Sequence, residues 1–212
     1  MGRLDQVKTF VVTGGLGFIG SHFVEKCLRL GYKETYAANT DLTFEGDYHY
    51  EKMDICAIKD LPFCDVIVNF AAESHVDNSI SENMSFINSN LLGVHNLLEI
   101  IKNKKITNLL HSWNYTPPLF FQVSTDEVFG DILEGAFTED ARHCPSNPYS
   151  ATKSAAEQLI QAWGRTYGIP WMISRTTNNY GHRQHPEKLI PSAITKLLNG
   201  EKVIVHGDGR YM

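Results

Sequence analysis

Thr13-Gly14-Gly15-Leu16-Gly17-Phe18-Ile19-Gly20 is the stretch that decides the fold. Ahead of it, Lys8 to Val12 is a short β-branched and aromatic run that reads as a strand. Behind it, Val24, Leu28 and Leu30 follow a helical pattern that Gly31 closes. The glycines fit G-x-G-x-x-G at 15, 17 and 20, and G-x-x-G-x-x-G at 14, 17 and 20. Glycine here permits a tight turn and lets backbone N–H groups approach a pyrophosphate at a helix N-terminus. The motif alone is weak, because a flexible turn has the same composition. Its strand–turn–helix setting favours a dinucleotide site. It predicts an α/β fold, a doubly wound Rossmann-type parallel sheet flanked by helices.

Such a fold expects a second strand ending in an acidic residue about twenty residues on, which bonds the adenosine ribose. Tyr32 to Asn39 offers no apolar strand. Asp41 has the spacing but follows no strand, and Glu34 is too early. Either the second strand is missing or the ribose is held differently, so this position does not separate NAD from NADP.

Further along, Tyr48 to Asp54 alternates as a strand with Asp54-Ile55 at its end. Asp65 to Phe70 is a buried strand by its apolar run, leading to Ala71-Ala72-Glu73-Ser74-His75. Small residues after that strand let a cofactor lie against the backbone. His75 is either catalytic or a hydrogen-bonded structural histidine, and the second is the ordinary case. Ile87, Leu91, Val94, Leu98 and Ile101 step by three and four, which predicts an amphipathic helix from Ser81 to Lys102. Residues 104–118 read as loop, and Leu119 to Val123 as the next strand.

That strand runs into Val123-Ser124-Thr125-Asp126-Glu127-Val128-Phe129-Gly130. Adjacent residues within a strand face opposite ways, so Asp126 and Glu127 can serve one site only where the strand gives way to a turn. The bland alternative is an N-cap-like cluster starting a helix. Tyr149 and Lys153 follow, four apart and on one face of a helix that continues to about Tyr167. Ala156, Leu159, Ile160 and Trp163 are its apolar side. A cation beside the phenol is expected to favour tyrosinate. Pro170 to Arg175 and Val203 to His206 read as strands. Between them lies a helix with Ile190, Ile194 and Leu197 on its inner side.

The composition sets outer bounds. A chain of 212 residues can bury one sizeable core, with a formal net charge of −5 that argues against general nucleic-acid binding. No apolar run reaches membrane-spanning length and the first residues lack a secretory pattern. Cys27, Cys56, Cys64 and Cys144 show no metal-ligand spacing. The expectation is a cytoplasmic protein with reduced thiols, no metal and no membrane partner.

Five motifs stand in order: T-G-G-L-G-F-I-G, N-F-A-A-E-S-H-V-D, V-S-T-D-E-V-F-G, Y-S-A-T-K and N-N-Y-G-H-R-Q-H-P-E-K-L-I-P. With them the chain resembles the extended short-chain dehydrogenase/reductases, and within these the nucleotide-sugar 4,6-dehydratases. The resemblance implies NAD as cofactor, an NDP-glucose as substrate with dTDP-glucose first, and a homodimer. It also implies a dinucleotide-binding domain over 1–177 that carries the catalytic residues. Residues 178–212 would begin a substrate-binding part that is incomplete relative to the family.

Roles follow from the same resemblance. Tyr149 takes the 4-hydroxyl proton, Lys153 holds the phenol ionised, and Thr125 bonds the 4-oxygen. Glu127 removes the C5 proton, and Asp126, kept protonated, donates to the departing 6-hydroxyl. Cofactor contacts fall on Gly14, Gly17, Phe18, Ile19, Gly20, Asp54, Ile55, Ala71, Ala72 and Ser74, with Tyr149 and Lys153. Substrate contacts fall on Ser74, Thr125, Asn178, Asn179, Lys188 and Leu189. Two other readings compete. A nucleotide-sugar 4-epimerase or decarboxylase shares the glycine and Tyr-x-x-x-Lys motifs but needs no acid–base pair after the strand. The other is a non-catalytic dinucleotide-binding or scaffolding relative, against which the five intact motifs argue.

Overall fold

The computed structural model describes residues 9–32, 35–37, 48–111, 115–132 and 134–203. The chain divides into two compact units, Met1–Thr177 and Asn178–Met212. In the first, β1 (Phe10–Thr13), β2 (Thr35–Ala37), β3 (Tyr48–Tyr50), β4 (Val66–Asn69), β5 (Leu119–Thr125) and β6 (Trp171–Thr176) form one sheet. Its order is β3-β2-β1-β4-β5-β6 and every pairing is parallel. The order reverses between β1 and β4, and at such a point a crevice opens outside the strand ends.

A second strand is therefore present, against the sequence expectation. β2 pairs with β1 from Phe10↔Thr35 to Val12↔Ala37. Its sequence, T-Y-A, has no apolar run because three residues of ladder need none; parallel pairing with β1 and β3 holds it. Asp41 and Glu34 lie outside the described residues. The third strand is shorter than expected, with Asp54 and Ile55 in the turn region after it.

Helix α1 (Phe18–Arg29) follows the glycine turn, and Gly31 ends it at φ +76°. After β4, α2 (Val76–Ser81) and α3 (Asn83–Phe86) lead through a π-helical turn, Ile87–Leu92, into α4 (Gly93–His111). Val94, Leu97, Leu98 and Ile101 are buried and pack with Phe120 and Ile67 of the sheet. The loop expected over 104–118 is helical as far as His111. Its lysines stabilise that extension. Lys104 reaches Asp60 at 2.8 Å, and Lys105 donates to the carbonyls of Tyr167 and Gly168 at 2.5 and 3.1 Å.

Helix α5 (Pro148–Tyr167) has an Asn147 cap, Pro148 in its first turn and Gly168 at φ +64° beyond its end. Ala156 and Ile160 are buried, with Leu159 and Trp163 packed partly against the same core. In the second unit α6 (Leu189–Leu198) buries none of its side chains. Ile190, Ile194 and Leu197 are exposed rather than on an inner side. Val203 carries no strand, and 204–206 lie outside the described residues.

Candidate active site

The crevice between β1 and β4 is a cleft of about 850 Å³ lined by Gly14, Gly17, Asp54, Ile55, Ala71 and Ala72, with Glu73 and Asn88 further out. Six of the expected cofactor contacts thus converge on one space. Gly14 sits at φ +64°, and a Cβ there would lie 2.6 Å from the Ala71 nitrogen. A Cβ on Gly20 would lie 2.2 Å from the Gly14 carbonyl oxygen. The turn, α1 and the end of β4 can approach one another only without those side chains. Phe18, Ile19 and Gly20 form the first turn of α1, whose N–H groups have no intrahelical acceptor. Asn96 holds the opposite wall, donating to the carbonyls of Ile55 and Ile58 at 2.7 and 2.8 Å. Ser74 lies exposed on the loop after β4, and His75 caps α2, its Nδ1 accepting the Asn78 N–H at 3.4 Å.

β5 ends at Thr125, and Asp126–Phe129 is a 3-10 turn. The strand gives way where the two carboxylates begin, so both can face one site. The capping reading also holds locally, since Thr125 Oγ1 accepts the Glu127 N–H at 3.2 Å. The Thr125 hydroxyl lies 3.3 Å from Asp126 Oδ1. Tyr149, in the first turn of α5 with its ring edge-on to Phe86, is close enough to all three to feel them.

The expected lowering of the phenol is not found. Burial pushes Tyr149 up to about 12, with the Glu127 charge adding to it; the Thr125 hydroxyl offsets part, and Asp126 raises it further. Lys153 does not offset this, for its ammonium is turned into the protein and donates to the Val123 carbonyl at 2.7 Å. Burial lowers Lys153 to about 8, against the opposing pull of Glu157.

Several polar groups here carried no sequence reading. Glu157 is fully buried, one turn beyond Lys153, and Arg175 of β6 grips its carboxylate at 2.7 and 3.0 Å. Arg175 also donates to the Glu139 carbonyl at 2.9 Å and covers the Phe129 ring. Asn90, in the π-helical turn, bonds both backbone groups of Glu73 and donates to Thr152 Oγ1 at 3.0 Å. The Ser124 hydroxyl is buried with no partner among the described residues, an atom that a bound group would satisfy. The glycine turn, the free N–H groups and this hydroxyl together suit a dinucleotide. Asn178, Asn179, Lys188 and Leu189 belong to the second unit. There the Asn179 carbonyl accepts from Gln184 at 2.9 Å, Lys188 stands at the N-cap position of α6 without a side-chain capping bond, and Leu189 is exposed.

The lysine gives a stability test. Its folded value near 8 lies below the ordinary 10.5, so its contribution is full above 10.5 and is lost as pH falls through 8. Wild type should therefore gain on the order of 2–3 kcal/mol over Lys153→Met between pH 7 and pH 10. Urea unfolding of both proteins at the two pH values measures it. A difference that stays flat would mean the amine is not held in a dry site.

Comparison with known proteins agrees with this geometry. A family model described as GDP-mannose 4,6 dehydratase matches residues 11–212. The dTDP-glucose 4,6-dehydratase of Haemophilus influenzae is 42% identical over 95% of this chain and 65% of its own length. The low-salt glycan biosynthesis protein Agl12 of Haloferax volcanii is 42% identical over 94% of this chain and 66% of its own. The solved structure of DesIV, a dTDP-glucose 4,6-dehydratase from Streptomyces venezuelae with NAD bound, is 37% identical at a TM-score of 0.81. It is matched over 95% of this chain and 65% of that one. The chain thus spans about 65% of the length of these relatives. It belongs to the GDP-mannose 4,6 dehydratase family, among the nucleotide-sugar dehydratases of the extended short-chain dehydrogenase/reductases.

Proposed function

We propose that this chain carries the NAD-binding and catalytic part of a nucleotide-sugar 4,6-dehydratase, a lyase acting on an NDP-glucose, with dTDP-glucose the first candidate. Support for the sugar comes from the relatives that bear that name at about 40% identity. Support for the reaction rests on one observation: two carboxylates, Asp126 and Glu127, stand on a single turn beside Tyr149. Oxidation and re-reduction at C4 alone require no such pair.

Gly14, Gly17, Ala71 and the first turn of α1 would hold NAD in the β1/β4 crevice, where it would accept hydride from C4 and return it to C6, its oxidised ring bringing a positive charge. Tyr149 takes the 4-hydroxyl proton. Bringing a phenol from about 12 to neutrality asks on the order of 7 kcal/mol of its surroundings, and Thr125 offsets only part. In the resting chain the phenol therefore keeps its proton, and a positive charge beside it is what lowers it. Glu127 takes the C5 proton that the 4-keto group acidifies. Asp126, in its acid form, gives a proton to the leaving 6-hydroxyl. Thr125 donates to the 4-oxygen, and Ser74 contacts the substrate.

The homodimer is part of this proposal, supported by Leu92 and Ile106, which stand exposed along the π-helical turn and α4. Light scattering that finds the full-length protein monomeric at micromolar concentration removes it.

Three variants of the full-length protein separate the steps. Tyr149→Phe should abolish C4 oxidation and all that follows. Glu127→Gln should permit that oxidation but stop deuterium entering C5. Asp126→Asn should permit C5 exchange while slowing loss of water. Each positioned acid or base is worth about 10²–10⁴ in rate. The readouts are C5 deuterium and 4-keto-6-deoxy product across several nucleotide-glucoses. Normal turnover by both carboxylate variants beside an inactive Tyr149→Phe would replace the dehydratase with a 4-epimerase.

A further inference from the structure

Asn147 ends the loop that returns from Glu127 and caps α5. Its Oδ1 accepts the Ser150 N–H at 2.8 Å, and its own N–H is 3.3 Å from the Ser150 hydroxyl. The cap settles which end of the amide points where. With the oxygen facing the helix, the nitrogen faces away, and Nδ2 donates to Glu127 Oε2 at 3.1 Å. The same glutamate is gripped at its backbone, where the Thr125 hydroxyl accepts its N–H. Two N-caps thus converge on one residue, one on its backbone and one on its carboxylate.

Capping alone does not demand asparagine. Aspartate caps a helix equally well but has no proton to offer a neighbouring carboxylate. We propose that Asn147 is a positioning residue. Its amide fixes the Glu127 carboxylate in the orientation from which it takes the C5 proton, and ties that orientation to the helix carrying Tyr149. This rests on the dehydratase reading for what Glu127 does. The contact itself rests on geometry alone.

Asn147→Asp and Asn147→Ala separate orienting from capping. In the full-length protein Asn147→Ala should lower the melting temperature by losing the cap, whereas Asn147→Asp keeps the cap and replaces only the bond to Glu127 with a like charge. Both should slow C5 deuterium exchange by about ten- to a hundredfold, the worth of a hydrogen bond to a charged group. In a Glu127→Gln background neither should slow it further. In NMR spectra of the cofactor-free protein, Glu127→Gln should move the Asn147 side-chain amide protons upfield as a charge-assisted bond is lost. Wild-type exchange by Asn147→Asp, or an amide resonance indifferent to Glu127→Gln, overturns the role of Asn147 and leaves the dehydratase reading intact. A wild-type protein that exchanges nothing at C5 removes the dehydratase reading, and with it the proton step that Asn147 would serve.

Discussion

One carbonyl oxygen, that of Val123, joins α5 to the sheet. It accepts the Lys153 ammonium at 2.7 Å and the Gln122 side-chain amide at 3.0 Å. Gln122 in turn accepts from Asn69 at 2.8 Å, and the Thr13 hydroxyl donates to Asn69. These side chains are 4% exposed or less, so any bond lost without a replacement would cost the full desolvation of the group left unpaired. A line of hydrogen bonds therefore crosses β1, β4 and β5 at the level where β1 and β4 end and β5 is midway. It links the residue that opens the glycine turn to the lysine of the Tyr-x-x-x-Lys pair.

The consequences are geometric. With Lys153 fixed two residues short of Thr125, Tyr149 lies one turn back along α5, over the corner where β5 becomes a 3-10 turn. The buried Glu157 sits one turn forward, and its attraction keeps Lys153 from falling below about 8. Arg175 is gripped by that glutamate and holds the Glu139 carbonyl, so β6 and the loop returning from Glu127 are fixed to the same helix. The carboxylates and the phenol are thereby carried on elements that share one buried polar frame. Such frames are costly when half satisfied and rigid when complete.

Much of this was legible in the sequence because it depends on local chemistry. The glycine turn, the buried apolar run of β4, the helix through Val94, Leu98 and Ile101, and the strand-to-turn change at Thr125 all follow from periodicity or backbone freedom. What escaped depends on contacts distant in sequence. β2 is a strand because β1 and β3 flank it, and T-Y-A does not announce that. The extension of α4 to His111 relies on Lys104 and Lys105 finding acceptors in Asp60, Tyr167 and Gly168. The Tyr149 phenol rises rather than falls because burial and the Glu127 charge act on it while Lys153 turns to Val123, a direction that four-residue spacing cannot supply. Asn147 carried no sequence reading, and its bond to Glu127 crosses twenty residues of chain.

Fold alone does not separate a dehydratase from an epimerase, since both need the cleft, the tyrosine and the lysine. The difference lies in whether Asp126 and Glu127 act on C5 and C6. The fate of the C4 hydrogen decides it. Full-length protein is incubated with dTDP-glucose carrying deuterium at C4, and the product is examined by mass spectrometry and NMR. The account predicts a 4-keto-6-deoxy sugar with the deuterium at C6. Deuterium retained at C4 of an inverted sugar, with the 6-hydroxyl intact, would contradict it.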